Sequence, residues 1–235
     1  MGRTLCVSDL HGNLNLYKQI INYLNPNDTL YILGNCGDRK PDGWAIIKDA
    51  LCNTQIRYIK GSHEDMLVNA MRDYTQYDIM DYAWYLLASN GGADTFQGWL
   101  NDGANSNWTL LLDKLPLELH YTNKNGLHII MSHAGFTPKD AEPHKKDDLL
   151  WNRSHFSDSW PDDSLYNKFI IVHRHTPCSY MIKEANNPWS EDPSLYLWYA
   201  DSHKINLDCG TASSNQIGLL DLDTFHVYKF ESTED

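Results

Sequence analysis

The stretch Arg3-Thr4-Leu5-Cys6-Val7-Ser8-Asp9-Leu10-His11-Gly12-Asn13 begins as a strand-forming run and ends in a polar turn. Leu14, Tyr17, Ile20, Ile21 and Leu24 then recur at helical spacing. The cycle repeats: a buried-strand run at 29–33 closed by Gly34, a loop to Pro41, a helical period over 44–51, and a strand at 56–60 closed by Gly61. Three β-loop-α units within the first 65 residues predict an α/β fold with parallel pairing. In such sheets ligands lie beyond the carboxyl ends of the strands. The polar residues at those ends therefore carry the functional reading.

From 64 to about 115 the pattern is mostly helical, with Met66, Leu67, Ala70, Met71 and Tyr74 on one face. Asn90-Gly91-Gly92 closes one segment, and Trp99, Leu100, Trp108 and Leu111 belong to a second. Trp44, Trp84, Trp99 and Trp108 read as packing residues. Strands are expected at 117–121, 127–131, 169–173, 196–200, 204–207, 216–222 and 225–230, with Asp221-Leu222-Asp223-Thr224 as a hairpin turn. No repeat, low-complexity tract or linker interrupts the chain. The expectation is one domain over 1–235 with a helical insertion at about 64–115.

The 235 residues carry 31 acidic against 19 basic side chains, a net charge of −12. That balance opposes binding to nucleic acid or an anionic membrane surface, both polyanions. No run approaches the roughly 20 apolar residues of a membrane helix. The N-terminus enters a strand at once without a secretory apolar region, and Cys6 stands where a myristoylation motif needs Ser or Thr. Five cysteines, odd in number and without a C-x-x-C pair, argue against a disulfide scaffold or structural zinc and for a cytoplasmic setting. Nothing in the sequence sets the oligomeric state.

Five polar clusters follow strand runs in order: Asp9-Leu10-His11, Gly34-Asn35-Cys36-Gly37-Asp38-Arg39-Lys40, Gly61-Ser62-His63-Glu64, His133-Ala134-Gly135 and Arg174-His175-Thr176-Pro177. An Asp-x-His pair at a strand end can present a carboxylate oxygen and an imidazole nitrogen to one cation. Glu64 reads as a structural hydrogen-bonding partner, Cys36 as filler, and His173 as structural. His120, His128, His144, His155, His203 and His226 read as surface or strand residues.

Together the clusters resemble the motifs D-x-H, G-D-x-x-D-R-G, G-N-H-E, H-A-G and G-H-T-P of the PPP-type phosphoprotein phosphatases, in the calcineurin-like metallophosphoesterase superfamily. Leu150-Trp151-Asn152-Arg153 is similar to the W-x-R segment of compact bacterial and phage members, and Leu207-Asp208-Cys209-Gly210-Thr211 to a late strand end. The resemblance implies a β-sandwich flanked by helices, α/β/β/α, and a two-metal phosphomonoester hydrolase. Asp9, His11 and the bridging Asn35 would hold one divalent ion; Asn35, Ser62, His133 and His175 would hold the other. Manganese is the first expectation, with iron, zinc or magnesium as alternatives. A metal-bridging water would attack in line. Arg39 and Arg153 would grip the phosphate, and His63, oriented by Asp38, would protonate the leaving group. The substrate would be a phosphorylated protein or a small phosphoester.

Four positions depart from those motifs. Asn35 replaces a bridging aspartate and Ser62 a ligating asparagine, which weakens the second metal site or leaves it empty. Lys40 and Arg174 replace glycines, at a strain cost if those glycines need positive φ. Both add charge that could stand in for missing metal. Two alternatives accompany the phosphatase reading: a pseudophosphatase that binds phosphate or phosphoprotein, and a diadenosine polyphosphate hydrolase. Asp38 favours the protein phosphatase branch over the latter.

Overall fold

The computed structural model describes residues 2–77, 82–136, 144–162 and 166–233. Positions 78–81 of the expected insertion lie outside them. The chain runs β1 (Thr4–Val7), α1 (Leu14–Tyr23), β2 (Thr29–Ile32), α2 (Gly43–Cys52) and β3 (Ile56–Tyr58). Four helices come next: α3 (Ser62–Tyr77), α4 (Tyr82–Ser89), α5 (Ala93–Asn101) and α6 (Ser106–Asp113). Then follow β4 (Glu118–Thr122), β5 (His128–Ser132), α7 (Lys146–Trp151), β6 (Phe169–His173) and α8 (Cys178–Met181). The last elements are β7 (Leu197–Tyr199), β8 (Lys204–Asn206), α9 (Thr211–Ser214), β9 (Gln216–Asp221) and β10 (Val227–Glu231).

All the expected strands form, each within two residues of its expected ends. The region 64–115 differs, being four helices rather than two segments. Of the two extra breaks, one falls at 78–81, outside the described residues, and the other at Gly103 and Ala104, both at positive φ (85° and 51°). There Asn105 caps α6 by accepting from the Asn107 N–H at 2.9 Å.

One sheet has the order β10-β9-β1-β2-β3 and the other β4-β5-β6-β8-β7. β1, β2 and β3 pair in parallel, as do β5, β6 and β8; β9, β10, β4 and β7 join antiparallel. Alternation along the strands sorts side chains into three layers. Leu5, Val7, Leu30 and Ile32 face α1, α2 and α3. Cys6, Leu33, Ile129, Met131, Val172 and Ile205 fill the space between the sheets. Ile130, Ile171 and Tyr199 face outward against Phe136, Phe156 and Met181. This is the α/β/β/α arrangement that the motifs imply. Parallel pairing sends the carboxyl ends of each set of three strands to one edge. Ser8 Oγ donates to Leu207 O at 3.3 Å and so ties the two edges together. Among the described residues no helix is long and apolar enough to cross a membrane.

Candidate functional site

The joined edge holds a cleft of about 130 Å³ lined by Asp9, His11, Asn35, Arg39, Ser62, His63, Arg153 and His175. These are eight of the ten residues that the sequence marked. Of the other two, Asp38 lies behind His63 and His133 lies beneath Ser62, both buried. Asn90, Trp151, Pro177 and Asp208 complete the wall.

The loops reach this geometry through unusual backbone. Asp9, His11, Asn35, Asp38, Arg39 and His175 all have positive φ, between 43° and 84°. Each such residue costs of order 1–3 kcal/mol and needs surrounding contacts to hold it. Glu64 supplies them for the second loop: its Oε2 accepts from Asn35 N (2.7 Å) and Gly61 N (2.9 Å). Its Oε1 accepts from Cys36 N (2.9 Å) and Tyr58 OH (2.8 Å). The helices between β3 and β4 hold the rest. Arg39 N donates to Gly91 O at 2.7 Å, and Asp38 N to Thr95 Oγ1 at 2.8 Å. At the end of α7 the Trp151 ring stands edge-on to His175, with centroids 5.7 Å apart, which sets the neighbouring Arg153 at the rim.

His63 Nδ1 lies 2.6 Å from Asp38 Oδ2, so its Nε2 is free to face the cleft. Arg39 and Arg153 are exposed, and neither forms an ion pair among the described residues. The other site histidines are held neutral. Burial first, then the His63 and Arg39 charges, lower His11 to about 3. Burial first, then His133 and Arg174, push His175 far below its ordinary value. Burial likewise holds His133 well below the usual imidazole range.

Arg174 decides how much of the expected metal centre the chain can build. It is fully buried, and its guanidinium lies under the cleft between Asp9 and His133. Nη1 is ion-paired with Asp9 Oδ1, and Nε donates to Leu33 O at 2.9 Å. His133 Nδ1 is 3.1 Å from Leu33 O and donates to it, leaving Nε2 as the ring's acceptor. Ser62 N donates to that Nε2 at 3.2 Å, and Arg174 Nη2, 2.5 Å from Nδ1 and 2.7 Å from Nε2, packs against the ring in the space a cation would need. The Asn35 amide oxygen accepts from His63 N at 3.0 Å. Three acceptors of the site residues, Asp9 Oδ2, Asp38 Oδ1 and His175 Nε2, remain buried without hydrogen-bond partners. Yet among the described residues no three His, Cys, Asp or Glu side chains are placed to close on one ion. The residues present do not fit a centre of two divalent ions. The second ion expected from Asn35, Ser62, His133 and His175 meets a guanidinium where its ligands should converge.

Neither departing glycine position has positive φ, so the expected strain at Lys40 and Arg174 does not arise. Lys40 also does not stand in for metal charge at the cleft. Its Nζ donates to Asn215 Oδ1 at 2.7 Å, and it lines a separate cavity with Gly12 and Lys18.

His155 is not a surface or strand residue. It is buried, its Nε2 donates to Ala134 O at 2.8 Å, and its Nδ1 lies 3.2 Å from both Tyr199 OH and Lys204 Nζ. Tyr199 OH in turn meets His173 Nε2 at 2.6 Å, so this network underpins the segments carrying His133 and Arg174. Distance in sequence hid it. Asp208 carried a signal, since it follows β8 just as Asp9 follows β1.

Neutral histidines and carboxylates at strand ends, facing two unpaired guanidinium groups, suit the handling of a phosphate ester. Comparison with known proteins agrees. Residues 2–207 match the calcineurin-like phosphoesterase family, and the chain belongs to it. No curated protein matches the chain in sequence. Among solved structures, a putative diadenosine tetraphosphatase is similar at TM-score 0.64 and 12% identity, covering 100% of this chain and 95% of that one. A protein serine/threonine phosphatase from Saccharomyces cerevisiae, described as similar to human phosphatase PP5, gives 0.56 and 12%, over 100% and 81%. A cold-active protein-tyrosine phosphatase of a psychrophilic Shewanella gives 0.60 and 12%, over 98% and 78%. At these identities the likeness is one of fold.

Proposed function

We propose that the cleft binds the phosphate of a phosphomonoester between Arg39 and Arg153, with His63 as the acid that protonates the leaving alkoxide. The observation that carries this reading is the His63–Asp38 pair at 2.6 Å beside those two guanidinium groups. Asp38 holds the imidazole in one orientation, with Nε2 toward the cleft. The planar forks of Arg39 and Arg153 match phosphate oxygens. At about 130 Å³ the cleft is smaller than the roughly 300 Å³ at which drug-sized ligand pockets begin, so it takes the phosphate and leaves the rest of the substrate outside. That suits a phosphorylated side chain or a small phosphoester, and suits a dinucleotide less.

Arg174 favours slow turnover, because a centre that cannot seat two divalent ions lacks the means to activate water. The chain then works mainly as a phosphate or phosphoprotein binder with little hydrolysis. Titration calorimetry with inorganic phosphate and phosphoserine, beside p-nitrophenyl phosphate hydrolysis with and without Mn²⁺, tests this. Binding lost in Arg39→Ala and Arg153→Ala, with weak hydrolysis, supports the proposal. Binding that ignores both substitutions sinks it.

A further inference from the structure

We propose that Arg174 is a built-in cation in the place of the second metal ion, so that the site recognises phosphate without divalent metal and refuses that ion even when its other ligands are restored. This deepens the phosphoester reading above and rests on it for the identity of the anion.

Three contacts fix the guanidinium. Nη1 pairs with Asp9, Nη2 packs against the His133 ring at 2.5 Å from Nδ1 and 2.7 Å from Nε2, and Nε donates to the Leu33 carbonyl at 2.9 Å. Ser62 Oγ, 3.0 Å from His133 Nε2, completes its surroundings. No part of the side chain reaches solvent. A guanidinium carries its charge throughout the physiological range. A buried Arg paired with a carboxylate and packed against an imidazole ring puts a fixed positive charge where a ligated cation would lie. It neutralises the carboxylate and fills the space beside the ring.

The charge balance follows. Arg39, Arg153 and Arg174 stand against Asp9, Asp38 and Asp208 in and under the cleft, while Glu64 is saturated by its own four donors. An incoming phosphate therefore meets Asp9 already paired with a guanidinium. Removing Arg174 would leave Asp9 facing it. At the separations of neighbouring side chains one unit charge is enough to change phosphate affinity by at least about tenfold.

The test is a count of bound manganese by mass spectrometry on purified chain. Asn35→Asp with Ser62→Asn restores both family ligands but keeps Arg174, and no gain in manganese is expected. Adding Arg174→Gly, or Arg174→Ala should the glycine variant unfold, is expected to admit one further ion per chain. A gain in the double variant with Arg174 in place overturns the proposal. So does a folded triple variant that gains none. Phosphate titration in chelator reads the other half: the wild-type chain binds, and Arg174→Ala binds at least about tenfold more weakly. Wild-type binding only when Mn²⁺ is added overturns the proposal. No phosphate binding in any form, with or without Mn²⁺, overturns instead the phosphoester reading, while the manganese count still decides the role of Arg174.

Discussion

Replacing Glu64 with glutamine probes how the site is held in its strained form. Glu64 is 1% exposed and its two oxygens take four hydrogen bonds, three from backbone N–H groups and one from the Tyr58 hydroxyl. Glutamine keeps one acceptor oxygen, which serves two of these donors. Its NH₂ turns toward the other two, which lose an acceptor with no water to replace it. Each lost bond to a charged acceptor is worth about 1.5–3 kcal/mol, so Glu64→Gln should cost about 3–6 kcal/mol. Against a total stability of roughly 5–15 kcal/mol that is a large fraction. Equilibrium urea unfolding should show the midpoint falling by more than about 1 M with the slope unchanged. The same variant should bind phosphate more weakly, since Asn35 and Cys36 lose the anchor of their loop. A loss below about 0.5 kcal/mol would mean that the four contacts do not hold the loop.

Three more perturbations test the fold and the site together. Asp28 is buried; burial alone would raise it, but Arg3 and the backbone N–H groups of Asn25 and Arg3 hold it at about 2. A depressed carboxylate stabilises above its ordinary value and loses that contribution as pH falls toward the folded value, so about 2 kcal/mol should vanish between roughly pH 5 and pH 1. Asp28→Asn should flatten that part of the stability profile. Gly61→Ala would place a Cβ 2.6 Å from Asn35 Oδ1 and 2.7 Å from His133 Cε1, so thermal melting should show a loss of about 1–3 kcal/mol and phosphate titration a weaker site. Ile129→Ala opens a cavity between the sheets and should cost about 2–5 kcal/mol in urea unfolding without changing the manganese count.

The layers were legible because alternation is local. Leu5 and Val7 against Cys6, and Ile129 and Met131 against Ile130, announce opposite faces before any partner is known. The strand-end clusters were legible for the same reason, and Asp9, His11, Asn35, Ser62, His63 and His175 do share one cleft. What the sequence left equal was Lys40 and Arg174, two cations in place of two glycines. Only tertiary structure separates them. Lys40 finds Asn215 at the far end of the chain, and Arg174 finds Asp9 and His133 beneath the cleft. His155 was hidden likewise, because its partners Ala134, Tyr199 and Lys204 are brought to it by β5, β7 and β8. A side chain's direction at a turn is set by what packs beside it, and that is not written nearby.

A crystal of the wild-type chain soaked in phosphate and Mn²⁺, with anomalous data, shows whether a guanidinium or a metal ion holds the floor of the cleft. Phosphate density should stand between Arg39 and Arg153, and no anomalous peak should lie between Asp9 and His133, where the Arg174 guanidinium sits. Two anomalous peaks flanking Asn35, with Arg174 swung out of the site, would contradict that placement.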